Sequence, residues 1–240
     1  MPTAISRIYT PEGFVVASDS FVSGSQSESQ KIFSFRTHGL DIVYCIGGTA
    51  RLKVDTFVLF DFVEAAKHEL SIISPSDTWP RYLDALSSAI CQNVNFSSRQ
   101  GVPSLSAEDD TFLFVDGYHN AIPVSARLRF EHGTGVTKAT VATEQLSNLS
   151  PYGSHSVLRL LDQEDNRFAP FVRPRKGDCK NIRAAVEWCR NRVLAQSSKD
   201  AKEIDPKICS GIGGRIQIAL MKPTGFAWEA PPVSEAPSCA

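Results

Sequence analysis

The sequence predicts a mixed α+β fold in which layers of sheet are covered by helices. Four strand-like segments fill residues 3–47, two helix-like segments follow, and strands and helices alternate again before a last strand pair. Runs of strands that alternate with pairs of helices are typical of sheets that bury one face under helices. Hydrophobic residues make up 42% of the chain and charged residues 21%, which suits a globular protein with a sizeable core.

The first half of the chain supplies two strand pairs and two helices. "TAISRIY" alternates apolar and polar residues as a half-buried strand does, and the turn "PEG" joins it to "FVVAS" in a hairpin. "KIFSF" and "LDIVYCIG" form a second strand pair around the turn "RTHG". Residues 50–70 space their apolar side chains at nearly helical intervals, so we expect a long helix there and another in "WPRYLDALSSAICQNV".

The second half of the chain again has predicted strands followed by predicted helices. "TFLFVDGYHNAIPVSARLRF" predicts two strands joined by a turn, and "VTKATVATEQL" predicts a further strand. "GSHSVLRLLDQ" and "NIRAAVEWCRNRVLAQSS" predict helices, and "GGRIQIALMKPTGFAWEA" predicts a closing strand pair. No repeat or linker interrupts the pattern, so we expect a single domain over residues 1–230. The Pro- and Ser-rich tail at 231–240 is expected to be disordered.

Composition argues against several classes of partner. The formal net charge is -1, and no cluster of Lys and Arg with interleaved aromatic residues is present, so no nucleic-acid partner is expected. The chain lacks a secretory signal and any apolar run near the ~20 residues that a membrane helix needs, which predicts a cytoplasmic protein without membrane contact. The six cysteines form neither CxxC nor Cys/His metal spacings, so no metal or cofactor is expected.

Three motifs in the first part of the chain carry a resemblance to a known family. "GFVVASDS", then "QKIF", then "CIGGTA" leading directly into the predicted helix are similar to the proteasome β-subunit superfamily of N-terminal nucleophile hydrolases. The similarity is nearest to the peptidase subunit of the bacterial two-component ATP-dependent protease and other bacterial proteasome-like proteins. "PYGSHSVLRLL" and "GIGGRIQIALMKPTGF" resemble later parts of the same family. The resemblance implies a four-layer αββα sandwich, the Ntn-hydrolase fold.

The resemblance also implies a set of five site residues. Thr3 matches the nucleophile, and Asp19 and Lys31 match the Asp and Lys that support it. Gly47 matches the glycine whose backbone N–H helps to form the oxyanion hole. Ser154 matches the serine of the turn that leads into the third helix.

The chemistry of such a site explains why these residue types are needed. A Thr hydroxyl is a poor nucleophile until a base removes its proton. In this class the base is the α-amine of the same Thr, whose reference pKa of about 7.7–8.0 suits work near neutral pH. A nearby Lys favours the neutral amine, and an Asp keeps the buried Lys charge paired. A glycine N–H aimed at the developing oxyanion stabilises the transition state.

The sequence departs from the family pattern at several places, one of them Arg51, which stands where the family commonly has Asp. Met1 and Pro2 precede Thr3, so a free α-amine on Thr3 requires their removal. The late Asp and Ser that brace the terminal amine in the family have no clear match, although Asp205 and Ser210 lie in the right part of the chain. The segment "DQEDNRFAPFVRPRKGD" resembles an insertion that lengthens the approach to the last helix.

These observations leave three functions open. The first is a threonine peptidase that assembles into a ring, acts on a peptide or protein substrate and works with an ATPase or regulatory partner. The second is a non-catalytic structural subunit, in which Thr3 is an ordinary strand residue and Ser154 only a helix cap. The third is a small-molecule amidase of the same class, with the polar loop near 97–110 shaping its pocket.

Overall fold

The computed structural model describes residues 3–21, 29–48, 51–54, 57–74, 78–98, 110–132 and 136–230. The described residues form strands β1 (Ile5–Thr10), β2 (Gly13–Ser18), β3 (Ile32–Thr37), β4 (Leu40–Gly48), β5 (Arg51–Val54), β6 (Phe57–Asp61), β7 (Thr111–His119), β8 (Ile122–His132), β9 (Thr137–Thr143), β10 (Gln217–Lys222) and β11 (Gly225–Ala230). They also form helices α1 (Phe62–Ile72), α2 (Trp79–Ser98), α3 (His155–Asp162), α4 (Ile182–Ser197), α5 (Lys199–Ile204) and α6 (Pro206–Cys209).

The chain divides into two compact units. The central unit contains residues 34–148, and the terminal unit contains residues 2–33 together with residues 149–240. Each unit has its own antiparallel sheet and its own helices, which confirms the predicted mixed α+β class. The single domain over 1–230 stays a prediction, and the tail at 231–240 lies outside the described residues.

The terminal unit is built on a four-stranded sheet in the order β1-β2-β10-β11. The first hairpin pairs Ile5 with Ser18, and the last strand pair joins to it through β2 and β10. Helix α4 packs on β1 and β2, and its N-cap Asn181 accepts a hydrogen bond from the Ala184 N–H. Trp188 of α4 is buried in this core, and its large ring contributes apolar area to it.

The central unit is built on a five-stranded sheet in the order β3-β4-β7-β8-β9. Helix α2 packs on this sheet with a stripe of buried side chains at helical spacing, formed by Tyr82, Leu83, Leu86, Ile90 and Val94. Helix α1 packs against α2. The Phe62 ring meets the Phe130 ring edge to face, with 4.8 Å between their centroids.

The long helix predicted at 50–70 is wrong in its first part. A two-stranded sheet, β5 paired with β6, occupies residues 51–61 with Leu52 opposite Phe60. The segment "RLKVDTFVLFD" is rich in β-branched and aromatic residues, which favour strands. Helix α1 starts only after Asp61, whose carboxylate accepts a hydrogen bond from the Glu64 N–H at 3.1 Å and caps the helix. The "CIGGTA" motif therefore does not lead directly into a helix.

Within the described ranges, no helix is long and apolar enough to cross a membrane.

Candidate functional site

A buried ion pair lies next to the first strand of the terminal unit. Asp19 follows β2 and Lys31 precedes β3, and the Lys31 Nζ donates to the Asp19 Oδ2 at 2.9 Å. The Asp19 side chain is 1% exposed and the Lys31 side chain 11%. Burial on this scale is rare for charged groups unless they are paired, and here each charge has its counterpart.

Backbone donors hold the Asp19 carboxylate against the residue that follows Thr3. The Ala4 N–H donates to Asp19 Oδ1 at 2.9 Å, and the Gly213 N–H donates to Asp19 Oδ2 at 3.4 Å. The Asp19 N–H donates back to the Ala4 carbonyl at 3.2 Å. Thr3 itself is 4% exposed. The predicted nucleophile and its predicted Asp and Lys are therefore brought together in one unit.

Burial is the largest influence on the pKa values of Asp19 and Lys31. Burial raises the pKa of Asp19, while the Lys31 charge and the backbone donors at Ala4 and Gly213 act in the opposite direction. Burial also lowers the pKa of the Lys31 ammonium, against the attraction of Asp19. Both shifts have the same physical cause, because a low-dielectric environment disfavours the charged form of either group. Lys31 is therefore easier to deprotonate than an exposed lysine.

A buried glutamine fixes the chain that carries Lys31. Gln217, at the start of β10, is 1% exposed. Its Oε1 accepts a hydrogen bond from the Lys31 N–H at 3.0 Å, and its Nε2 donates to the Ser29 carbonyl at 2.5 Å. Gln217 therefore fixes the backbone on both sides of residue 30, so that Lys31 reaches Asp19 from a defined position.

A short antiparallel bridge brings the turn before α3 to the first strand. The Ile5 N–H donates to the Tyr152 carbonyl at 2.9 Å, and the Tyr152 N–H donates to the Ile5 carbonyl at 2.7 Å. In an antiparallel bridge the residues before one partner run alongside the residues after the other. Thr3 and Ser154 therefore leave the bridge in the same direction.

Ser154 has two roles at this turn. It is fully buried and caps α3, because its Oγ accepts a hydrogen bond from the Val157 N–H at 3.3 Å. The same hydroxyl donates to Asp205 Oδ2 at 2.7 Å. The other carboxylate oxygen, Oδ1, accepts from the Ile208 N–H at 3.3 Å, so Asp205 caps α6 and orients Ser154 at once.

Asp205 and Ser210 lie in the part of the chain where the family has its late Asp and Ser. Asp205 is the one that contacts Ser154, whereas Ser210 is exposed at the C-terminal end of α6. Asp205 is followed by Pro206, and this order of residues is typical of the start of a helix, so the sequence indicates that Asp205 caps α6. The contact between Asp205 and Ser154 joins residues 51 positions apart, and no local pattern in the sequence predicts it.

A second buried glutamine anchors the Ser154 turn to α4. The Ser154 N–H donates to the Gln196 Oε1 at 2.8 Å, and the Gln196 side chain is fully buried. Gly153 has a φ of +140°, and a Cβ built on it would lie 1.9 Å from the same Oε1. Glycine at 153 is therefore needed both for its backbone conformation and for the close approach of Gln196.

Gly47 is the remaining site residue that the resemblance implies. It belongs to the central unit, where it is buried on β4 opposite Phe112 of β7. Its role at an oxyanion hole stays a prediction. Of the polar loop near 97–110, residues 99–109 lie outside the described residues. In the part of the chain that the structure describes, no three His, Cys, Asp or Glu side chains cluster in a way that could hold a metal ion.

Comparisons with known proteins show similarity at the level of structure alone. No protein-family model matches the chain, and no curated protein matches it. Among solved structures, the chain is similar to Anbu (ancestral beta-subunit) from Yersinia bercovieri, with 8% sequence identity and a TM-score of 0.48. The match covers 95% of this chain and 88% of that chain. A similarity of this size does not assign the chain to the family of that protein.

Proposed function

We propose that the protein is a proteasome-like N-terminal threonine hydrolase that cleaves peptide bonds. Thr3 is the nucleophile once Met1 and Pro2 have been removed. One observation carries the proposal: the Asp19 carboxylate accepts hydrogen bonds from the Ala4 N–H and from the Lys31 ammonium at the same time. A buried charge pair is thereby fixed to the backbone of the residue after Thr3, where a structural strand has no need of one.

The proposed reaction uses the α-amine of Thr3 as the base. The Thr3 hydroxyl oxygen attacks the substrate carbonyl carbon, and the hydroxyl proton passes to the amine. The leaving amine takes that proton as the carbon–nitrogen bond breaks, and an ester to Thr3 remains. Water, activated by the same amine, then hydrolyses the ester. The positive potential of Lys31 favours the neutral amine that both steps require.

Ser154 and Asp205 complete this proposal. The bridge between Ile5 and Tyr152 supports a position for Ser154 on the same side as Thr3. Its hydroxyl is oriented by Asp205 at 2.7 Å and can also accept a hydrogen bond from a protonated amine. We therefore assign Asp205 the part of the late Asp that braces the terminal amine. The Gly47 N–H is proposed as the oxyanion donor.

The proposed function comes with a proposed fold, the four-layer αββα sandwich, and a proposed assembly, a ring of copies of this chain. A two-layer arrangement of sheet and helices within each unit is what a four-layer αββα sandwich requires of its halves. The sandwich itself, self-association into a ring and an ATPase or regulatory partner follow from the resemblance of the motifs and stay predictions.

A second candidate function is supported by the burial of Thr3. In a chain that still carries residues before it, Thr3 is 4% exposed and its nitrogen is part of a peptide bond. Such a chain has neither an accessible nucleophile nor its base, and it fits a structural subunit. A small-molecule amidase would use the same nucleophile as a peptidase and differs only in substrate.

The test is a hydrolysis assay on a chain that begins at Thr3, released from a cleavable leader. We expect it to hydrolyse fluorogenic peptides and Thr3→Ser to retain part of the rate, while Thr3→Ala falls by about a thousandfold or more. The matched control is the chain that retains Met1 and Pro2, which should be inactive. Equal rates for Thr3→Ala and wild type would overturn the proposal. Inactivity of the exposed Thr3 on peptides and on small amides would favour the structural subunit.

A further inference from the structure

A cavity of about 380 Å³ lies in the terminal unit, and none of the residues proposed for catalysis lines it. Its walls are formed by α3, by α4 and by the connection between them, which is the segment predicted from the sequence to be an insertion. Cavities of roughly 300–1,000 Å³ are typical of small-molecule sites. The added segment therefore builds a pocket that the proposed hydrolytic reaction does not use.

One part of the pocket wall is apolar. Leu161 from α3, Phe171 and Val172 from the connection and Trp188 from α4 line it. Trp188 is 3% exposed and Leu161 is 4% exposed, so both belong to the core, and the half-buried Phe171 and Val172 offer most of the apolar surface that a ligand can cover. A ligand with an apolar body would gain from burial against these side chains.

The charged part of the wall has one more cation than it has carboxylates. Arg192 forms an ion pair with Asp162, and Arg175 forms one with Glu164. Lys176 is the third cation of the lining. In the part of the chain that the structure describes, the Lys176 ammonium donates to the Leu149 carbonyl at 3.0 Å and has no carboxylate partner. An ammonium has three donors, so Lys176 retains two for a ligand.

Arg192, on the same wall of the pocket, has hydrogen-bond donors without acceptors among the described residues. Its guanidinium carbon lies 4.6 Å from the centre of the Trp188 ring. Its Nε and Nη1 are buried and have no hydrogen-bond partner among the described residues. Asp162 therefore satisfies only part of this guanidinium, and buried donors without partners cost free energy.

The two cations also disfavour each other. Burial lowers the pKa of Lys176, and the positive charge of Arg192 lowers it further, while Asp162 acts in the opposite direction. An anion beside Lys176 would weaken this repulsion and accept hydrogen bonds from the donors that the ammonium retains. A single negative charge matches the excess of one cation, so a carboxylate fits better than a doubly charged phosphate.

We propose that this pocket binds a small organic acid, with its carboxylate on Lys176 beside Arg192 and its apolar body against Phe171, Val172 and Trp188. The inference does not depend on the proposed function, because no residue of the pocket takes part in the proposed catalysis. The ligand class is a monocarboxylate with an aromatic or aliphatic body small enough for the cavity.

The test is titration calorimetry of the full chain with hexanoate, 3-phenylpropionate and indole-3-propionate, each compared with its neutral amide. We expect at least one acid to bind, and its amide to bind about tenfold more weakly or worse, because the charge-assisted hydrogen bond is lost. Lys176→Met should weaken the acid by a similar factor, whereas Lys176→Arg should retain binding. The matched control is Lys180→Met, at an exposed lysine outside the pocket, which should bind like wild type.

Three results would overturn the proposal. They are equal affinity for acid and amide, equal affinity of wild type and Lys176→Met, and no binding of any of the three acids at millimolar concentration. A folded Lys176→Met variant, checked by circular dichroism, is needed for the second comparison. If that variant does not fold, the comparison of acid with amide on wild-type protein decides the question alone.

Discussion

The two units of the molecule use ion pairs in opposite settings. In the terminal unit, Asp19 and Lys31 are 1% and 11% exposed, and backbone donors surround the carboxylate. In the central unit, Lys67 and Glu64 form a pair of the same 2.9 Å length on α1, at 40% and 60% exposure. Distance alone does not distinguish them. Burial does, because a buried charge that loses its partner is far more costly than an exposed one.

The largest effect is expected from Lys31→Met. This change leaves the Asp19 carboxylate buried without its cation, and removing one partner of a buried pair costs about 3–5 kcal/mol. We expect the free energy of unfolding, measured by urea titration, to fall by that amount. Lys31→Met together with Asp19→Asn should recover a large part of the loss, because no charge is left buried. A loss below about 1 kcal/mol in the single variant would show that the pair is not buried as described.

The next effect is expected from Gly153→Ala. The new Cβ would lie 1.9 Å from the Gln196 Oε1 in a backbone with φ of +140°. We expect a loss of about 1–3 kcal/mol in the free energy of unfolding, from strain and from the weakened anchor of Ser154. The matched control is Gly177→Ala, because no atom lies within 4 Å of a Cβ built there. Equal stability of the two variants would contradict the close approach of Gln196.

A somewhat smaller effect is expected from Gln217→Leu. This change keeps the bulk of the side chain but removes the acceptor of the Lys31 N–H and the donor to the Ser29 carbonyl. Buried groups left without partners cost about 1–3 kcal/mol, so we expect a stability loss toward the lower end of that range. In an active chain, the pH profile of hydrolysis should also shift, since Lys31 loses its fixed position. If the variant keeps the wild-type pH profile and the wild-type stability, Gln217 does not position Lys31.

The pH dependence of stability gives a further test of burial. Because the pKa of Lys31 is lowered on folding, the unfolded state binds more protons than the folded state at pH values below 10.5 and above the folded pKa. Stability should therefore gain a contribution as pH rises through this window. Urea titrations between neutral and alkaline pH should show this contribution in wild type and not in Lys31→Met. Parallel curves for the two proteins would contradict the lowered pKa.

The smallest effect is expected from Lys67→Met on α1. An exposed pair at this helical spacing contributes about 0.2–0.5 kcal/mol, and salt screens it. We expect a loss within this range at low ionic strength and none at high ionic strength, measured by the same titration. A loss of stability as large as that of Lys31→Met would contradict the distinction between the buried pair and the exposed pair.

The sequence predicts the local elements best. The hairpins of β1 with β2 and of β10 with β11 were predicted correctly, because tight turns separate short apolar strands. The start of α1 was not, because "ARLKVDTFVLFD" has apolar residues at intervals that fit a helix as well as paired strands. Strand propensity and the cap at Asp61 decide between the two.

The site is predicted only in part. Asp19 and Lys31 were expected together, and the structure joins them. The contacts that hold the site span long distances in sequence, with 51 positions between Ser154 and Asp205 and 186 between Lys31 and Gln217. No period or local motif carries such pairs, because only the folded sheet brings them together. The pocket beside α4 is different, because all its lining residues lie between 161 and 192, yet no motif in this stretch marks a pocket.

We propose that the buried pair of Asp19 and Lys31 supports Thr3 in its role as the nucleophile. The most direct test of this claim is mass spectrometry of a chain that begins at Thr3, after reaction with a peptide electrophile that captures N-terminal nucleophiles. We predict a single adduct on the N-terminal peptide, absent in Thr3→Ala and much slower to form in Lys31→Met. No adduct on Thr3, or an adduct that forms equally in Lys31→Met shown to be folded, would contradict the claim.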